Sequence, residues 1–497
     1  MKDQAEGHPP VMLSDATLSQ VPHSVDRPRY DRSRLKAGIV HIGLGNFHRA
    51  HQSWYLHRLM QDGQAHDWAI VGAGVRAGDA MMRDRLLAQD CLTTLIELDP
   101  AGTSAEIIGS MIDFLPVEPF NAALITAMSD PAIRIVALTV TEGGYFTDAS
   151  GALDLEDPDI QHDAAHPETP RTAFGAMIAA LKARRAAGIG PFTGQCCDNL
   201  QNNGDILRQT VVGLARLSDP ELADWIDAQA SFPNSMVDCI VPATGPSEIA
   251  LAKEMGIEDN APVTHENFRQ WVIEDDFCAG RPAWEAVGAT LTQNVHAYEA
   301  MKIRILNAGH QVLANAGELL GLPTIAACMG DAQVRAFWRK VEQTGIVPYV
   351  DAVPEMSPSD YLELIESRFS NPEIHDTTRR VAFDGSSRHP GFILPILRDA
   401  VSAGGDLEGL ALTEALWAHM CVGQRDDGSE IEANDPHWSE LTALAKAAQT
   451  QPDLWVEQEK YYGELAHHAG FKAAFSGWLT CLSQHGTEET LKRFLAG

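Results

Sequence analysis

Cysteine, basic residues and long apolar stretches are all scarce in this sequence of 497 residues. Only eight cysteines are present and no Cys-x-x-Cys pair occurs, so neither a disulfide framework nor a structural zinc site is predicted. Reduced thiols in the cytoplasm are the simplest interpretation. No apolar run reaches the ~18 residues that a membrane span needs, and the N-terminus lacks the basic and apolar stretches of a signal peptide.

Lysine and arginine together number 37 against 68 aspartates and glutamates, which gives a formal net charge of −31. Binding to nucleic acid or to an anionic membrane needs clustered basic side chains, so both kinds of partner are excluded by prediction. We interpret the acidic balance as a surface that keeps the protein soluble. With 45% hydrophobic residues the composition is globular, and the length predicts two domains.

The order of apolar runs predicts an α/β fold class. In the first half, strand-like runs at 38–43, 68–75, 133–140 and 191–197 alternate with helical patterns at 49–60, 79–89 and 172–188. Beyond about residue 290, long segments with a 3.6-residue period dominate. We therefore predict a polar, loosely ordered lead-in at 1–28, a Rossmann-type parallel-sheet domain at 29–290 and a mostly α-helical domain at 291–497.

A dinucleotide-binding turn is predicted after the first strand. Gly43 and Gly45 occupy the first two positions of the Gly-x-Gly-x-x-Gly fingerprint, between a strand and a helix, where the backbone can approach a pyrophosphate. His48 stands at the third position. Asp79 follows the second strand, where a carboxylate would bind the ribose hydroxyls and favour NAD over NADP, although Arg76 lies nearby. Asp79 could instead cap the next helix.

Three oxidoreductase chemistries are compatible with such a domain. No Cys and His cluster suits a catalytic zinc, so a metal is not expected. The short-chain pattern Tyr-x-x-x-Lys is matched by Tyr298 and Lys302, but outside the nucleotide-binding half. The third chemistry uses a lone lysine base supported by amides. Lysine is protonated in water at neutral pH, so this base needs desolvation or a nearby cation to depress its pKa.

The helix around 298–318 carries the groups for that third chemistry. With about 100° of turn per residue, Glu299, Lys302 and His310 share one side, and Asn307 lies at its edge. A helix with a solvated polar face explains the same pattern without any function. The sequence alone leaves both interpretations open.

Several motifs, in order, resemble the polyol-specific long-chain dehydrogenases, the mannitol dehydrogenase family. Lys-x4-Asn-x2-His within MKIRILNAGH is the most specific of them, and the resemblance covers about residues 38–400. The further motifs are IVHIGLGNFHRAHQ, VTEGGY, CDNLQNNG, MVDCIVP, FRQWVIEDDF, GRPAWEAVG and RRVAFDGSSRHPGF. The resemblance implies an enzyme that uses NAD and no metal, with its site in the cleft between two domains.

The resemblance also implies a role for individual residues. Lys302 matches the catalytic base, Asn199 and Asn307 the oxyanion hole, His310 the substrate-orienting histidine, and Glu299 a carboxylate in the proton path to solvent. Contacts to the sugar chain are expected from Asp238, Arg380 and Arg388. The residues expected to bind the cofactor are Gly43, Gly45, Asn46, Phe47, Asp79, Thr141 and Glu142.

The sequence departs from the family pattern at three positions. Arg388 stands where lysine is common, Cys239 where arginine is common, and Gly309 where serine is usual before His310. None of these changes removes a catalytic group, but they leave the substrate open. We predict reversible oxidation of D-mannitol to D-fructose, with D-arabinitol 4-dehydrogenase or fructuronate reductase activity as alternatives. A catalytically silent NAD sensor is a third, non-enzymatic alternative. A monomer is favoured, and the oligomeric state stays open.

Overall fold

The computed structural model describes residues 9–148 and 151–497, which separate into two units, 1–296 and 297–497. The first unit contains the strands, because its apolar segments are short and rich in β-branched residues. The strands are β1 Val11–Met12, β2 Val25–Asp26, β3 Ala37–Ile42, β4 Ala69–Ala73, β5 Thr93–Asp99, β6 Gly102–Ile108, β7 Met111–Phe114, β8 Ile135–Leu138, β9 Thr193–Cys196, β10 Ser235–Asp238, β11 Ile257–Glu258, β12 Val263–Glu266, β13 Gln270–Glu274 and β14 Thr290–Thr292.

The central sheet has five parallel strands in the order β7-β4-β3-β8-β9. Its first strand in the chain is the middle one, and the strand order reverses there, as in a Rossmann domain. Strands β3, β4, β8 and β9 are almost entirely buried, as expected for a parallel sheet that is covered on both faces. The helices of this unit are α1 Asn46–Ala50, α2 Gln52–Gln61, α3 Asp79–Leu87, α4 Ala122–Ser129, α5 Pro158–Ala165, α6 Ala173–Ala186, α7 Asn203–Ser218, α8 Pro220–Gln229 and α9 Pro246–Glu254.

Smaller sheets complete the first unit. Strands β12-β5-β6-β2 form a mixed sheet, β10-β13-β14 form another, and β1 pairs with β11. The predicted loosely ordered lead-in differs from what is found over residues 11–26. Val11 and Val25 belong to strands, and Leu13, Val21 and Val25 are buried in a hydrophobic cluster with Ile257. These few apolar side chains give the segment enough buried surface to become ordered.

The second unit is helical, and none of its described residues belongs to a strand of three or more residues. Its helices are α10 Val295–Met301 (which begins in the first unit), α11 Ala308–Leu319, α12 Ile325–Gly330, α13 Ala332–Val341, α14 Pro358–Phe369, α15 Thr378–Ala382, α16 Gly385–Arg388, α17 Leu394–Ala403, α18 Glu408–Met420, α19 Trp438–Ala448, α20 Asp453–Val456, α21 Glu459–Tyr462 and α22 Ala469–Ala496. Three π-helical segments interrupt them, at Lys302–Asn307, Glu342–Ile346 and His389–Ile393. No helix within the described part of the chain has the length and apolarity to cross a membrane.

Candidate active site

A cavity of about 500 Å³ lies at the carboxyl end of β3 in the first unit, and Gly43, Gly45, Asp79 and Thr141 all line it. Gly43 has φ +88°, and a Cβ there would lie 2.1 Å from the Thr139 carbonyl oxygen, so only glycine fits. Gly45 precedes α1, and the space beside it is open. The turn therefore leaves the backbone accessible from the cavity, as the binding of a pyrophosphate requires.

His48, at the third fingerprint position, packs where a small residue usually allows close contact between helix and strand. Its ring stacks on His41 of β3 with centroids 3.3 Å apart and 17° between the planes. Burial lowers the pKa of His48 to about 3, and it also lowers the pKa of His41. The His41 Nε2 atom bonds the Thr139 hydroxyl at 3.0 Å, and that hydroxyl donates to the Gly43 carbonyl. The stacked, uncharged imidazoles of His41 and His48 thus lie beside the glycine turn, and His41 is linked to it through the Thr139 hydroxyl.

Asp79 is the first residue of α3, and Gly78 is the capping residue, so the alternative that Asp79 caps this helix is wrong. One carboxylate oxygen of Asp79 accepts from the backbone N–H groups of Val75 and Arg76, at 3.0 and 2.9 Å. The carboxylate thus fixes the conformation of the loop after β4, and Asp79 also lines the cavity. A role toward the ribose stays a prediction.

Asp198 was not predicted, yet its side chain fixes the backbone of Val140 and Thr141, which line the cavity. Its carboxylate accepts from the backbone N–H groups of Val140 and Thr141, both at 2.9 Å, and from the Tyr145 hydroxyl at 2.7 Å. Thr141 has φ +69° and ψ +161°, a region that is essentially reserved for glycine. The carboxylate keeps this strained residue in place. Its position at the carboxyl end of a parallel strand was the available signal.

The other residues predicted to bind the cofactor have the following places. The Asn46 side-chain amide donates to the Pro242 carbonyl and the Thr244 hydroxyl, both at 2.9 Å. Phe47 stacks on His51 with ring centroids 4.9 Å apart. Neither residue is part of the described cavity lining. The Glu142 side chain lies outside the described part of the structure, so these three assignments stay predictions.

Two residues predicted for the substrate end of the site also belong to the first unit. Asn199 follows β9 directly after the carboxylate residue Asp198, and it is exposed. Asp238 is the last residue of β10 and is 6% exposed. Asn199 lies just beyond the carboxyl end of β9 in the parallel sheet, where ligands bind in open α/β sheets. Strand β10, which ends at Asp238, belongs to a separate sheet and pairs antiparallel with β13.

Lys302 lies in the second unit, at the start of the π-helical segment that joins α10 to α11. An uninterrupted α-helix was expected there, and this detail is corrected. The i→i+5 hydrogen bonds of a π turn accommodate one extra residue, and such turns are frequent at functional sites. Lys302 is 8% exposed and Glu299 is 5% exposed. The alternative of a solvated polar face is therefore wrong for these two residues.

His310, eight residues after Lys302, is held by an aromatic ring and by an acidic residue that was not predicted. Its ring stacks on Phe369 with centroids 4.2 Å apart and 16° between the planes. Its Nε2 atom lies 3.8 Å from a carboxylate oxygen of Asp376, which is itself buried. Burial lowers the pKa of His310 to about 4, and the attraction to Asp376 opposes that shift. The imidazole is thus uncharged at neutral pH.

Asp376 also fixes Arg380. The guanidinium donates two hydrogen bonds to the carboxylate, at 2.6 and 2.7 Å. Asp376 precedes α15, which contains Arg380, and the spacing of four residues between the two opposite charges was the available signal. Arg388 donates to the Val381 carbonyl at 2.7 Å, so both predicted arginines have protein contacts in this structure. The Asn307 Oδ1 atom, by contrast, is buried and accepts no hydrogen bond from any described residue.

The Tyr-x-x-x-Lys alternative does not fit the geometry of Tyr298. Its hydroxyl donates a short hydrogen bond to the Glu355 carboxylate, and burial followed by that carboxylate raises the pKa of Tyr298. A catalytic tyrosine of this kind needs the opposite shift. Across residues 9–148 and 151–497, no group of three or more His, Cys, Asp or Glu side chains is arranged to hold a metal ion.

The parallel sheet, the glycine turn and the cavity beside it define a Rossmann-type dinucleotide-binding protein with a second, helical unit. The family models for the mannitol dehydrogenase Rossmann domain and C-terminal domain match residues 37–286 and 294–480. This chain belongs to the mannitol dehydrogenase family. The predicted family, fold class and enzyme class are thereby confirmed.

Relatives and solved structures agree with this placement. The chain is 57% identical to the mannitol 2-dehydrogenase of Cereibacter sphaeroides, over 95% of this chain and 99% of that one. It is 40% identical to the Pseudomonas fluorescens mannitol 2-dehydrogenase, solved as a ternary complex with NAD and D-mannitol, with a TM-score of 0.86 over 98% and 99% of the two chains. A D-sorbitol dehydrogenase in substrate-free form is 33% identical with a TM-score of 0.87, over 97% and 100%.

Proposed function

We propose that this protein oxidises D-mannitol to D-fructose, reversibly, with NAD as the hydride acceptor. The observation that carries the proposal is the π turn of the second unit, which starts with the buried amine of Lys302 and ends at Asn307, three residues before His310. The mannitol 2-dehydrogenase names of the similar proteins, and the NAD and D-mannitol bound in one of them, support it.

In this mechanism Lys302 is the general base. The polyol hydroxyl loses its proton to the uncharged Nζ atom while the carbon that bears it loses a hydride, so that a ketose and NADH result. The amide N–H groups of Asn199 and Asn307 donate hydrogen bonds to the oxygen as its charge develops. One such donor typically contributes about 3–4 kcal/mol to the stability of the transition state. Glu299 then passes the proton between Lys302 and solvent.

The substrate is held by polar side chains of both units. His310 is uncharged at neutral pH and orients a hydroxyl as donor or acceptor, while Asp238 and Arg388 contact the remaining sugar hydroxyls. Arg380 contacts the sugar through the guanidinium N–H groups that do not bind Asp376. The residues that would hold NAD are Gly43, Gly45, Asn46, Phe47, Asp79, Thr141 and Glu142, and NAD supplies the hydride-accepting carbon when it is bound.

The fructuronate alternative depends on Arg380 and Arg388, which would have to pair with the carboxylate of a uronate substrate. The Arg380 guanidinium already donates two hydrogen bonds to Asp376, and Arg388 donates one to the Val381 carbonyl. Fructuronate reduction is therefore disfavoured. D-arabinitol shares with mannitol the arrangement at the oxidised carbon, so it is a second polyol substrate to test, and the likeness to a D-sorbitol dehydrogenase adds sorbitol.

We further propose that the predicted domains are 29–290, which binds NAD, and 291–497, which binds the substrate, after a polar lead-in at 1–28. We also propose a monomer in the cytoplasm, where its few cysteines would stay reduced.

Lys302→Ala is the direct test of the base. Removal of a general base costs about 10²–10⁴-fold in kcat, while the affinity for NAD, measured by fluorescence titration of NADH, stays unchanged. The exposed Lys446→Ala is the matched control and keeps full activity. The rate of NADH formation is measured with D-mannitol, D-arabinitol, D-sorbitol and D-mannonate. An active Lys302→Ala enzyme would refute the assignment of Lys302 as the base. A faster rate with another polyol would show that D-mannitol is not the preferred substrate.

A further inference from the structure

Glu342 is an acidic residue buried in the second unit that the mechanism above does not use. It begins the π-helical segment after α13, is 0% exposed, and neither of its carboxylate oxygens has a hydrogen-bond partner among the described residues. Burial alone raises the pKa of the Glu342 carboxyl well above its usual value. A buried carboxylate without a partner would be very costly, so the group is held as the uncharged acid.

The carboxyl group fills the space beside Gly309 that a side chain there would occupy. A Cβ built on Gly309 would lie 2.4 Å from the Glu342 Oε1 atom and 3.1 Å from the Trp338 Nε1 atom. Gly309 stands between Asn307 and His310, in the first turn after the π segment. Because residue 309 has no side chain, the carboxyl group of Glu342 fits directly against the backbone there.

Helix α13, which precedes Glu342, also contacts the surroundings of the His310 ring. Trp338 of this helix lies one turn before Glu342, and its ring packs on Phe369 with centroids 5.9 Å apart. Phe369 in turn stacks on His310. Helix α13 and the π segment after it therefore contact the backbone beside His310 through Glu342 and the imidazole ring through Trp338 and Phe369.

We propose that Glu342, buried and packed against Gly309, is a positioning residue for Asn307 and His310. This inference rests on the proposed function, in which those two residues touch the substrate. Ionisation of Glu342 would place a charge against the backbone of this turn and displace it.

The ionisable groups on the elements that pack against Glu342 do not supply a counter-charge. Among them, Arg304 pairs with Asp399, Arg339 with Glu366, and Glu414 with His389. The remaining groups on these elements, among them α11 with Gly309, are Lys302, His310, Glu318, Arg335, Lys340, Tyr349, Arg398, Glu408 and His419. None of them contributes to the pKa shift of Glu342, which has burial as its one cause.

The first test compares the wild type with Glu342→Gln, which mimics the uncharged acid. A carboxyl whose pKa is raised on folding contributes its full stability below its unfolded value of about 4.5 and loses it as pH rises toward the folded value. The ratio of unfolding constants, wild type over Glu342→Gln, should therefore increase about tenfold per pH unit above that value. A ratio that is constant, or that falls with rising pH, would overturn the uncharged state. This measurement does not depend on any enzymatic activity.

The second test measures positioning with the polyol that is turned over fastest. Glu342→Gln should keep kcat and KM within about twofold of wild type near neutrality, and it should lose any fall of kcat/KM that the wild type shows at alkaline pH. Gly309→Ala places a methyl group against the Glu342 oxygen and should lower kcat/KM more than tenfold, whereas Gly309→Ala with Glu342→Ala should recover most of that loss. Equal damage in the single and double variants would sink the proposal.

The two proposals fail separately. If Lys302→Ala stays active while Gly309→Ala is rescued by Glu342→Ala, the base assignment is wrong and the role of Glu342 stands. If Lys302→Ala is inactive and no rescue occurs, the proposed function stands and the role of Glu342 is refuted.

Discussion

His48→Phe should make the protein more resistant to acid, because it replaces one of the two stacked imidazoles with a ring that cannot be protonated. The pKa of His48 is about 3 in the folded chain and about 6.5 when unfolded. A histidine with a depressed folded pKa contributes its full stability above the unfolded value and loses it as pH falls. The loss is about 1.4 kcal/mol per pH unit below that value, or about 2 kcal/mol at pH 5.

The assay is chemical unfolding of wild type and His48→Phe between pH 5 and pH 8, followed by tryptophan fluorescence. The larger phenyl ring costs about 1–3 kcal/mol of stability at every pH through overpacking. The test therefore compares how steeply the free energy of unfolding changes with pH in the two proteins. His57 and His265 are also buried with a pKa of about 3, and they stay in both proteins. Replacement of the exposed His485 by phenylalanine should leave the slope unchanged. Equal slopes for wild type and His48→Phe would refute the uncharged stack.

Two further perturbations address the ends of the site. Asp376→Asn keeps the shape but removes the charge that pairs with Arg380, so KM for the polyol should rise roughly tenfold, about 1.4 kcal/mol, with a smaller change in kcat; an unchanged KM in steady-state kinetics would contradict a role for this pair. Gly43→Ala should destabilise the first unit by more than about 2 kcal/mol and weaken NADH binding, since φ is +88° and the methyl group would meet the Thr139 carbonyl; normal NADH titration would contradict this.

The central sheet could be predicted because its strands are continuous apolar runs. The observed strands β4, β8 and β9 lie within the predicted segments, and β3 begins one residue before its segment, since burial on both faces of a parallel sheet demands such runs. The edge strand β7 of this sheet was not predicted. The paired strands β5 and β6 were missed. Their sequences mix charged and apolar residues, and their burial changes along the strand instead of alternating, so the pattern is weak over seven residues.

The glycine turn and the lysine helix could be predicted from residue spacing, but the roles of three acidic residues were missed. Asp198 binds backbone groups far from it in the chain, Asp376 binds Arg380 four residues on, and Glu342 is buried without a hydrogen-bond partner among the described residues. Their places in the sequence gave only weak signals, because one acidic residue does not by itself reveal its partners or its burial. Glu342 did offer a signal, because it falls on the apolar stripe of its helix, four residues after Trp338. A carboxylate on such a stripe is unusual, since burial without a partner is costly.

The π turn at Lys302–Asn307 makes this helix tolerant of a change in chain length at one place. Because the turn already holds one extra residue, loss of one residue there would restore ordinary α-helical bonding while the helices on either side keep their orientation. Loss of one residue within α11, between Asn307 and His310, would instead rotate everything beyond it by about 100° about the helix axis. The imidazole would then move to another side of the helix while the amine kept its place.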